Sequence, residues 1–278
     1  MGPVVVLASS PKQAVKDAVE EFRGPLDAEF GIAAIDTDGT LDLETVDAEW
    51  AIVFGGDGAI LNASRRMGKH PIPTLAVNFG RLGFLSEVEF DQLKDALARL
   101  KAGKLKARSR MRLTAQVGDW KMYALNDVVV VAAQGGRLFR VAAKIERREA
   151  IRFAGDGVVI ATPTGSTAYN LAAGGPILDP ELEATVITPL AAHTLSQRPI
   201  VIPATQEVDL YVREGDPPGR VVVDGQAAHD IGEGDRLIVR KAKEPFQLFR
   251  VGRRSYYTRL RKMLGWGGEP KGYGSRKS

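Results

Sequence analysis

Phe54-Gly55-Gly56-Asp57-Gly58 sets one carboxylate among three glycines, directly after the apolar run Ala51–Phe54 and ahead of a helical pattern over 59–67. Glycines let a backbone approach a ligand closely and turn amide N–H groups toward an anion at a helix N-terminus. A carboxylate beside a phosphate is repelled unless it holds a cation or accepts a proton from an attacking hydroxyl. Asp57 is therefore a candidate general base, with Gly55, Gly56 and Gly58 making room around it. A plain strand-to-helix turn capped by Asp57 is the competing reading. A second glycine-rich stretch, Asn78-Phe79-Gly80-Arg81-Leu82-Gly83-Phe84-Leu85, also follows an apolar strand. In an open parallel sheet both stretches would lie at strand carboxyl ends, where such folds bind ligands.

Two further stretches carry polar groups where bulk is low. Leu125-Asn126-Asp127-Val128 interrupts an apolar strand pattern with an amide and a carboxylate. Buried polar groups must be paired, here with a ribose diol or with a turn backbone. The segment from Gly155 to Ile177 runs through Asp156, a strand, the hydroxyl-rich Thr162-Pro163-Thr164-Gly165-Ser166-Thr167, then Ala168, Tyr169, Asn170, Leu171, Ala172 and a Gly-Gly-Pro. Many hydroxyls and small residues suit a flat polar ligand. Val223-Asp224-Gly225-Gln226 reads as a hairpin turn. There is no GxxxxGK[ST], no protein-kinase catalytic loop and no GxSxG, which excludes P-loop enzymes, protein kinases and elbow-type hydrolases.

The elements that must position these groups change character along the chain. Val4–Ala8, Ala51–Phe54 and Thr74–Val77 are continuous apolar runs separated by helical patterns, the mark of a parallel sheet covered on both faces. Past about residue 104 come short β-branched runs punctuated by Gly, Pro and Asp, at Leu113–Val117, Lys121–Val131, Leu138–Glu146, Val158–Thr162, Ile200–Ile202, Glu207–Val212, Arg220–Val223 and Arg236–Arg240. The expected fold is α/β plus all-β: a Rossmann-like parallel-sheet domain over 1–104, an antiparallel β domain over 105–250, and over 251–278 a C-terminal helix that packs back and a basic tail. Lys104, Lys106, Arg108, Arg110 and Arg112 alternate, which predicts five charges on one face of a strand, either a soluble edge or a phosphate-facing wall.

Composition narrows the class. The 278 residues are 44% hydrophobic and 26% charged, a globular balance. No cysteine occurs, so disulfides, thiolate catalysis and thiolate metal sites are excluded. His70, His193 and His229 show no ligand spacing, so no protein metal site is expected and a cation would arrive with a substrate. The net charge is +4, but the residues from Arg250 onward hold nine Lys/Arg and one acid and leave the rest at −4. That tail lacks a stacking platform for nucleic acid. No stretch approaches the roughly 18 apolar residues of a membrane span, nor is there a signal-peptide pattern, so a cytoplasmic protein without membrane or nucleic-acid partners is expected.

Taken in order, Gly55-Gly56-Asp57-Gly58, the 78–85 loop, Asn126-Asp127 and the 156–177 segment resemble the NAD kinase family, and Tyr256 through Leu264-Gly265-Trp266-Gly267 looks like that family's C-terminal end. The resemblance implies transfer of a phosphoryl group from ATP with Mg²⁺, or from inorganic polyphosphate, to the 2′-hydroxyl of the adenosine ribose of NAD. It implies that Asp57 is the base, that Asn126 and Asp127 bind ribose and base, that Asp156 meets the nicotinamide half, and that Thr167, Ala168 and Tyr169 line the adenine pocket. Asn170, Leu171 and Ala172 continue that ligand-side segment, and Gln226 reaches the ligand from the β domain. The chain departs from the family pattern at Ala154, where many relatives have a basic residue that Arg137 or Arg152 would replace. Ala172 stands for a serine, and Asp127 for a glutamate. The family implies a homodimer or homotetramer. A lipid kinase of the Gly-Gly-Asp-Gly type and a non-catalytic NAD(P)-binding regulator are the alternatives.

Overall fold

The computed structural model describes residues 1–9, 12–79, 83–86, 88–133, 139–194, 196–212, 215–251 and 256–266, with the side chains of 149 and 150 excepted. The chain opens with β1 (Val4–Leu7), α1 (Gln13–Phe30), β2 (Ile32–Asp36), β3 (Trp50–Gly55), α2 (Asp57–Arg66), β4 (Thr74–Asn78), β5 (Val88–Glu89), α3 (Leu93–Lys101) and β6 (Lys106–Arg110). β1 to β4 pair in parallel in the order β2-β1-β3-β4, and β5 adds parallel to β4. β1 and β3 are buried at every position, as strands covered on both faces must be. α1 and α3 cover one face through Val15, Phe22, Leu93 and Leu97, and α2 covers the other through Ile60 and Leu61.

The remainder is strand after strand: β7 (Leu113–Val117), β8 (Trp120–Ala124), β9 (Asp127–Ala132), β10 (Phe139–Ile145), β11 (Arg148–Gly155) and β12 (Gly157–Ala161), then the one-turn helix α4 (Tyr169–Ala172). β13 (Ala184–Leu190), β14 (Ile200–Pro203), β15 (Val208–Val212), β16 (Gly219–Val223), β17 (Ala227–Ile231), β18 (Arg236–Lys241), β19 (Phe246–Arg250) and α5 (Tyr256–Leu264) complete the described chain. Twelve of these strands form two antiparallel sheets, β11-β10-β15-β18-β7-β8 and β14-β13-β12-β9-β16-β17. They share one core that includes Phe139, Ile160, Leu210, Val221 and Leu237. β11, β13 and β17 carry no period-two apolar signal strong enough to read from sequence. Their residues are strands because neighbouring strands take their backbone hydrogen bonds.

Two expectations are corrected here. The run 121–131 is not one strand: the chain breaks at Leu125-Asn126 and crosses from one antiparallel sheet to the other, β8 in the first and β9 in the second. The five alternating cations from Lys104 to Arg112 do not share one face either. β6 ends at Arg110, and Arg112 turns inward and is fully buried. β6 and β19 are hydrogen-bonded into the parallel sheet as its last two strands, β19 parallel to β4 and β6 antiparallel to β19. Chain segments 106–110 and 246–250, which the sequence reading groups with the β domain, thus belong to the first sheet. Among the described residues no helix is long and apolar enough to cross a membrane.

Candidate active site

β3 delivers the chain to Gly56, which is the N-cap of α2, and Asp57 is the first helical residue. Asp57 does not cap its own helix. Its carboxylate reaches the second glycine-rich stretch, where Oδ2 accepts the Phe84 N–H at 2.7 Å and Oδ1 accepts those of Leu85 at 3.1 Å and Ser86 at 3.3 Å. A Cβ on Gly83 would lie 2.0 Å from Asp57 Oδ1, so only glycine lets the loop close on the carboxylate. Each carboxylate oxygen has two lone-pair directions. Among the described residues both on Oδ1 are taken, while one on Oδ2 meets no donor. Asp57 is half-buried, at the positive end of a ten-residue helix.

The other half of the site is built on Asp224. Its carboxylate accepts three consecutive N–H groups, from Leu125 at 2.9 Å, Asn126 at 2.8 Å and Asp127 at 3.0 Å, and so holds the crossing between β8 and β9 in shape. The turn backbone around Asn126-Asp127 is thereby satisfied by a residue that the sequence marks only as part of a hairpin. The next residue but one, Gln226, bridges to the first half: its Nε2 donates to the Gly58 carbonyl at 2.8 Å and its Oε1 accepts from Arg65 at 2.6 Å. Gln226 thus joins the hairpin between β16 and β17 to α2.

Asp127 is buried beside Asp224, and the two carboxylates share the wall of a cavity of about 350 Å³ with Asn126, Ala168 and Tyr169. Burial, and next the charge of Asp224, push the Asp127 carboxyl up to about 7. Burial also raises that of Asp224, against the lowering by its three N–H donors and the Arg65 charge. A carboxyl raised on folding from 3.8 binds more protons in the folded than in the unfolded chain between about pH 4 and 7, so its contribution to stability is greatest below pH 4 and is lost as pH rises through 7. Asp127→Asn is expected to remove part of that loss, up to about 4 kcal/mol. Urea unfolding at pH 4 and pH 8 measures it, and an unchanged pH dependence in the variant would contradict the assignment.

The hydroxyl-rich turn is sewn to the same crossing. Thr162 Oγ1 donates to the Leu125 carbonyl at 2.6 Å and accepts the Gly165 N–H at 3.0 Å, and the Thr162 N–H reaches the Asn126 carbonyl at 2.8 Å. A Cβ at Gly165 would lie 2.0 Å from that carbonyl oxygen, which explains the glycine. Ser166 Oγ pins Leu178 to the turn, accepting the Leu178 N–H at 2.9 Å while donating to the Pro163 carbonyl at 2.6 Å. Thr164 and Thr167 face a second cavity, of about 210 Å³, together with Phe84, Leu85, Tyr256 and the arginines Arg110, Arg250 and Arg259. Thr164 Oγ1 is buried there with no protein partner among the described residues.

The remaining candidates fall differently. Tyr169 is 47% exposed at the first cavity, and Leu171 and Ala172 follow it on α4, half-buried and exposed. Asn170 is corrected to a structural role. It is fully buried, its Nδ2 donates to the Ser166 and Pro176 carbonyls, and its Oδ1 accepts from Thr188, so its amide is turned into the fold and lines neither cavity. Ala154 and the exposed Asp156 flank the β11–β12 corner and line neither cavity. Arg137 lies outside the described residues. Sequence reasoning missed Asp224 as the organiser, Arg65 and the three N–H donors 84–86. The three loops brought together by Asp57, Asp224 and Thr162 are those on which the resemblance rests.

Comparison with known proteins decides the family. The ATP-NAD kinase N-terminal domain matches residues 7–105 and the ATP-NAD kinase C-terminal domain residues 125–251. The chain belongs to the NAD kinase family. It is 42% identical to the NAD kinase of Heliobacterium modesticaldum over 218 residues, 77% of either chain. It is 34% identical to that of Carboxydothermus hydrogenoformans over 269 residues, 95% of each. Its fold matches a yeast NADH kinase solved in complex with NADH at a TM-score of 0.89, with 22% identity, covering 97% of this chain and 89% of that one. It also matches an NAD kinase from Archaeoglobus fulgidus solved with ATP at 0.76, with 23% identity over 95% of this chain and 97% of that one. The two family matches between them take in both halves of the site, and the lipid-kinase and regulator alternatives give way to the NAD kinase family.

Proposed function

We propose that the chain transfers the terminal phosphoryl group of ATP to the 2′-hydroxyl of the adenosine ribose of NAD, giving NADP and ADP. The observation that carries this reading is the Asp57 carboxylate, fixed by three backbone N–H groups and with one lone pair of Oδ2 open among the described residues, at the helix N-terminus next to the cavity lined by Phe84, Leu85, Thr164 and Thr167. In this reading the ribose hydroxyl gives its proton to Oδ2 as its oxygen bonds to phosphorus, and the bond from that phosphorus to the bridging oxygen of ADP breaks. Phosphoryl transfer needs positioning and charge neutralisation more than covalent help. The helix N-terminus and the arginines Arg110 and Arg250 along the cavity supply positive potential. The divalent cation comes as part of the ATP substrate. Asn126, Asp127, Ala168 and Tyr169 hold the dinucleotide in the adjoining cavity, and Asp156 meets its far end.

The chain works in this reading as a homodimer or homotetramer, supported by the edge strand β14, where Val201 is 47% exposed. The experiment is NADP formation from purified protein, NAD, ATP and Mg²⁺, followed through an NADP-specific dehydrogenase, with inorganic polyphosphate as a second donor arm. NADP that appears only when NAD and a phosphoryl donor are both present is the expected result. A folded protein that makes none with either donor would refute the reading.

A further inference from the structure

α5 touches both sides of the site. Tyr256 donates its hydroxyl to the Leu178 carbonyl at 3.2 Å, Tyr257 donates to Asp179 at 2.9 Å, and Leu260 on the same helix is buried. One turn along from Tyr256, on the same helix, Arg259 Nη1 donates to the Phe84 carbonyl at 2.6 Å. That carbonyl belongs to the peptide group joining Phe84 to Leu85, and the N–H of the same peptide group donates to Asp57 Oδ1 at 3.1 Å. A peptide whose oxygen accepts a charged hydrogen bond becomes a stronger donor at its nitrogen, because the two ends polarise each other. The preceding N–H, of Phe84 itself, is the 2.7 Å donor to Oδ2.

We infer that Arg259 is a positioning residue for phosphoryl transfer, acting on Asp57 through the Phe84–Leu85 peptide. The inference rests on the reading of Asp57 as the base. The geometry carries it in two ways. The guanidinium and the carboxylate are joined through a single peptide unit. The fit of the loop is also tight, since Gly83 lies where any Cβ would strike Asp57 Oδ1, so a small rotation of the 83–86 backbone moves the carboxylate. A misplacement of about 1 Å can cost on the order of a hundredfold in rate. α5 is held by its tyrosines on the 178–179 segment, whose Leu178 N–H is bonded to Ser166 Oγ in the hydroxyl-rich turn. Arg259 therefore sets the base relative to the loop on the other side of the cavity.

The test uses the full chain and four variants: Arg259→Met, Arg259→Lys, Asp57→Asn and the double variant Asp57→Asn/Arg259→Met. Each is measured for kcat, for KM toward NAD and ATP, and for Tm. Arg259→Met should lower kcat about tenfold and leave both KM values within about twofold, the pattern of an interaction that acts in the transition state. Arg259→Lys should recover part of the loss, because it restores charge without the planar fork. In the double variant the Arg259 substitution should cost nothing further, because the group it positions is gone. An unchanged kcat in Arg259→Met, a raised KM at constant kcat, or a full additional loss in the double variant would each overturn the inference. Should Arg259→Met melt early, Arg259→Lys at native Tm carries the same comparison, alone and combined with Asp57→Asn. An inactive Asp57→Asn beside a fully active Arg259→Met defeats this inference alone, whereas a fully active Asp57→Asn defeats it together with the base assignment.

Discussion

Asp57→Asn is expected to lower kcat by about 10²–10⁴-fold, the share of a positioned general base, with little change in the affinity for NAD. The carboxylate is the acceptor of three N–H groups, and the oxygen with a lone pair to spare is Oδ2. An asparagine keeps the size and one acceptor oxygen, but its amide nitrogen would face N–H donors and has no lone pair for a proton. Titration with NAD, monitored by protein fluorescence or calorimetry, separates binding from turnover. Activity at the parent rate in a folded Asp57→Asn protein would remove Asp57 from the chemistry.

The largest stability effect is expected at Arg112. Its guanidinium donates to the Ser64 carbonyl at 2.8 Å, the Gly68 carbonyl at 2.8 Å and the Glu244 carbonyl at 3.0 and 2.8 Å, and it lies 4.6 Å over the Tyr123 ring. The first of these carbonyls lies in the last turn of α2 and the second just past its C-cap, where a cation meets the negative end of the helix. Burial lowers the Arg112 pKa to about 10, so it stays charged at neutral pH. Arg112→Met should cost about 3–5 kcal/mol, since three buried carbonyls lose their charged partner at once. Arg112→Lys should recover less than half, as one ammonium cannot reach acceptors spread over three segments. Urea unfolding gives both values, and a loss under about 1 kcal/mol for Arg112→Met would show that the carbonyls find other donors. The substitution also frees the C-terminal end of α2, the helix that carries Asp57 at its other end.

Arg112 illustrates where reading from the sequence stops. Its place in an alternating row of cations marks it as one of five charges on a single strand face, a soluble edge or a phosphate-facing wall, because period two is a property of strands. The strand ends two residues earlier, and the inward turn of Arg112 is decided by the carbonyls of α2 and of the turn at Glu244, far away in sequence. Asp224 is the same case. An Asp-Gly pair between apolar runs is a hairpin turn on any local reading, and it is one here. Its second role, holding the backbone of residues 125–127, depends on β16 lying next to β9, a pairing of residues nearly a hundred apart. Asn170 errs in the opposite direction: a polar residue inside a ligand-like segment turns out to be buried with its amide bonded inside the fold.

What the sequence determined by itself is local and chemical. Glycines flanking Asp57 after an apolar strand, and continuous apolar runs between helices, establish a parallel sheet with a carboxylate at its ligand end, because backbone freedom and hydrophobic period are written residue by residue. The tertiary structure decided the assembly: that Asp57 turns to the N–H groups of 84–86, that 106–110 and 246–250 close the first sheet, and that Gln226 and Arg259 tie the two halves of the site together. Those contacts join side chains to backbone groups of distant segments. Backbone donors and acceptors are the same at every residue, so only the fold selects which of them a side chain meets.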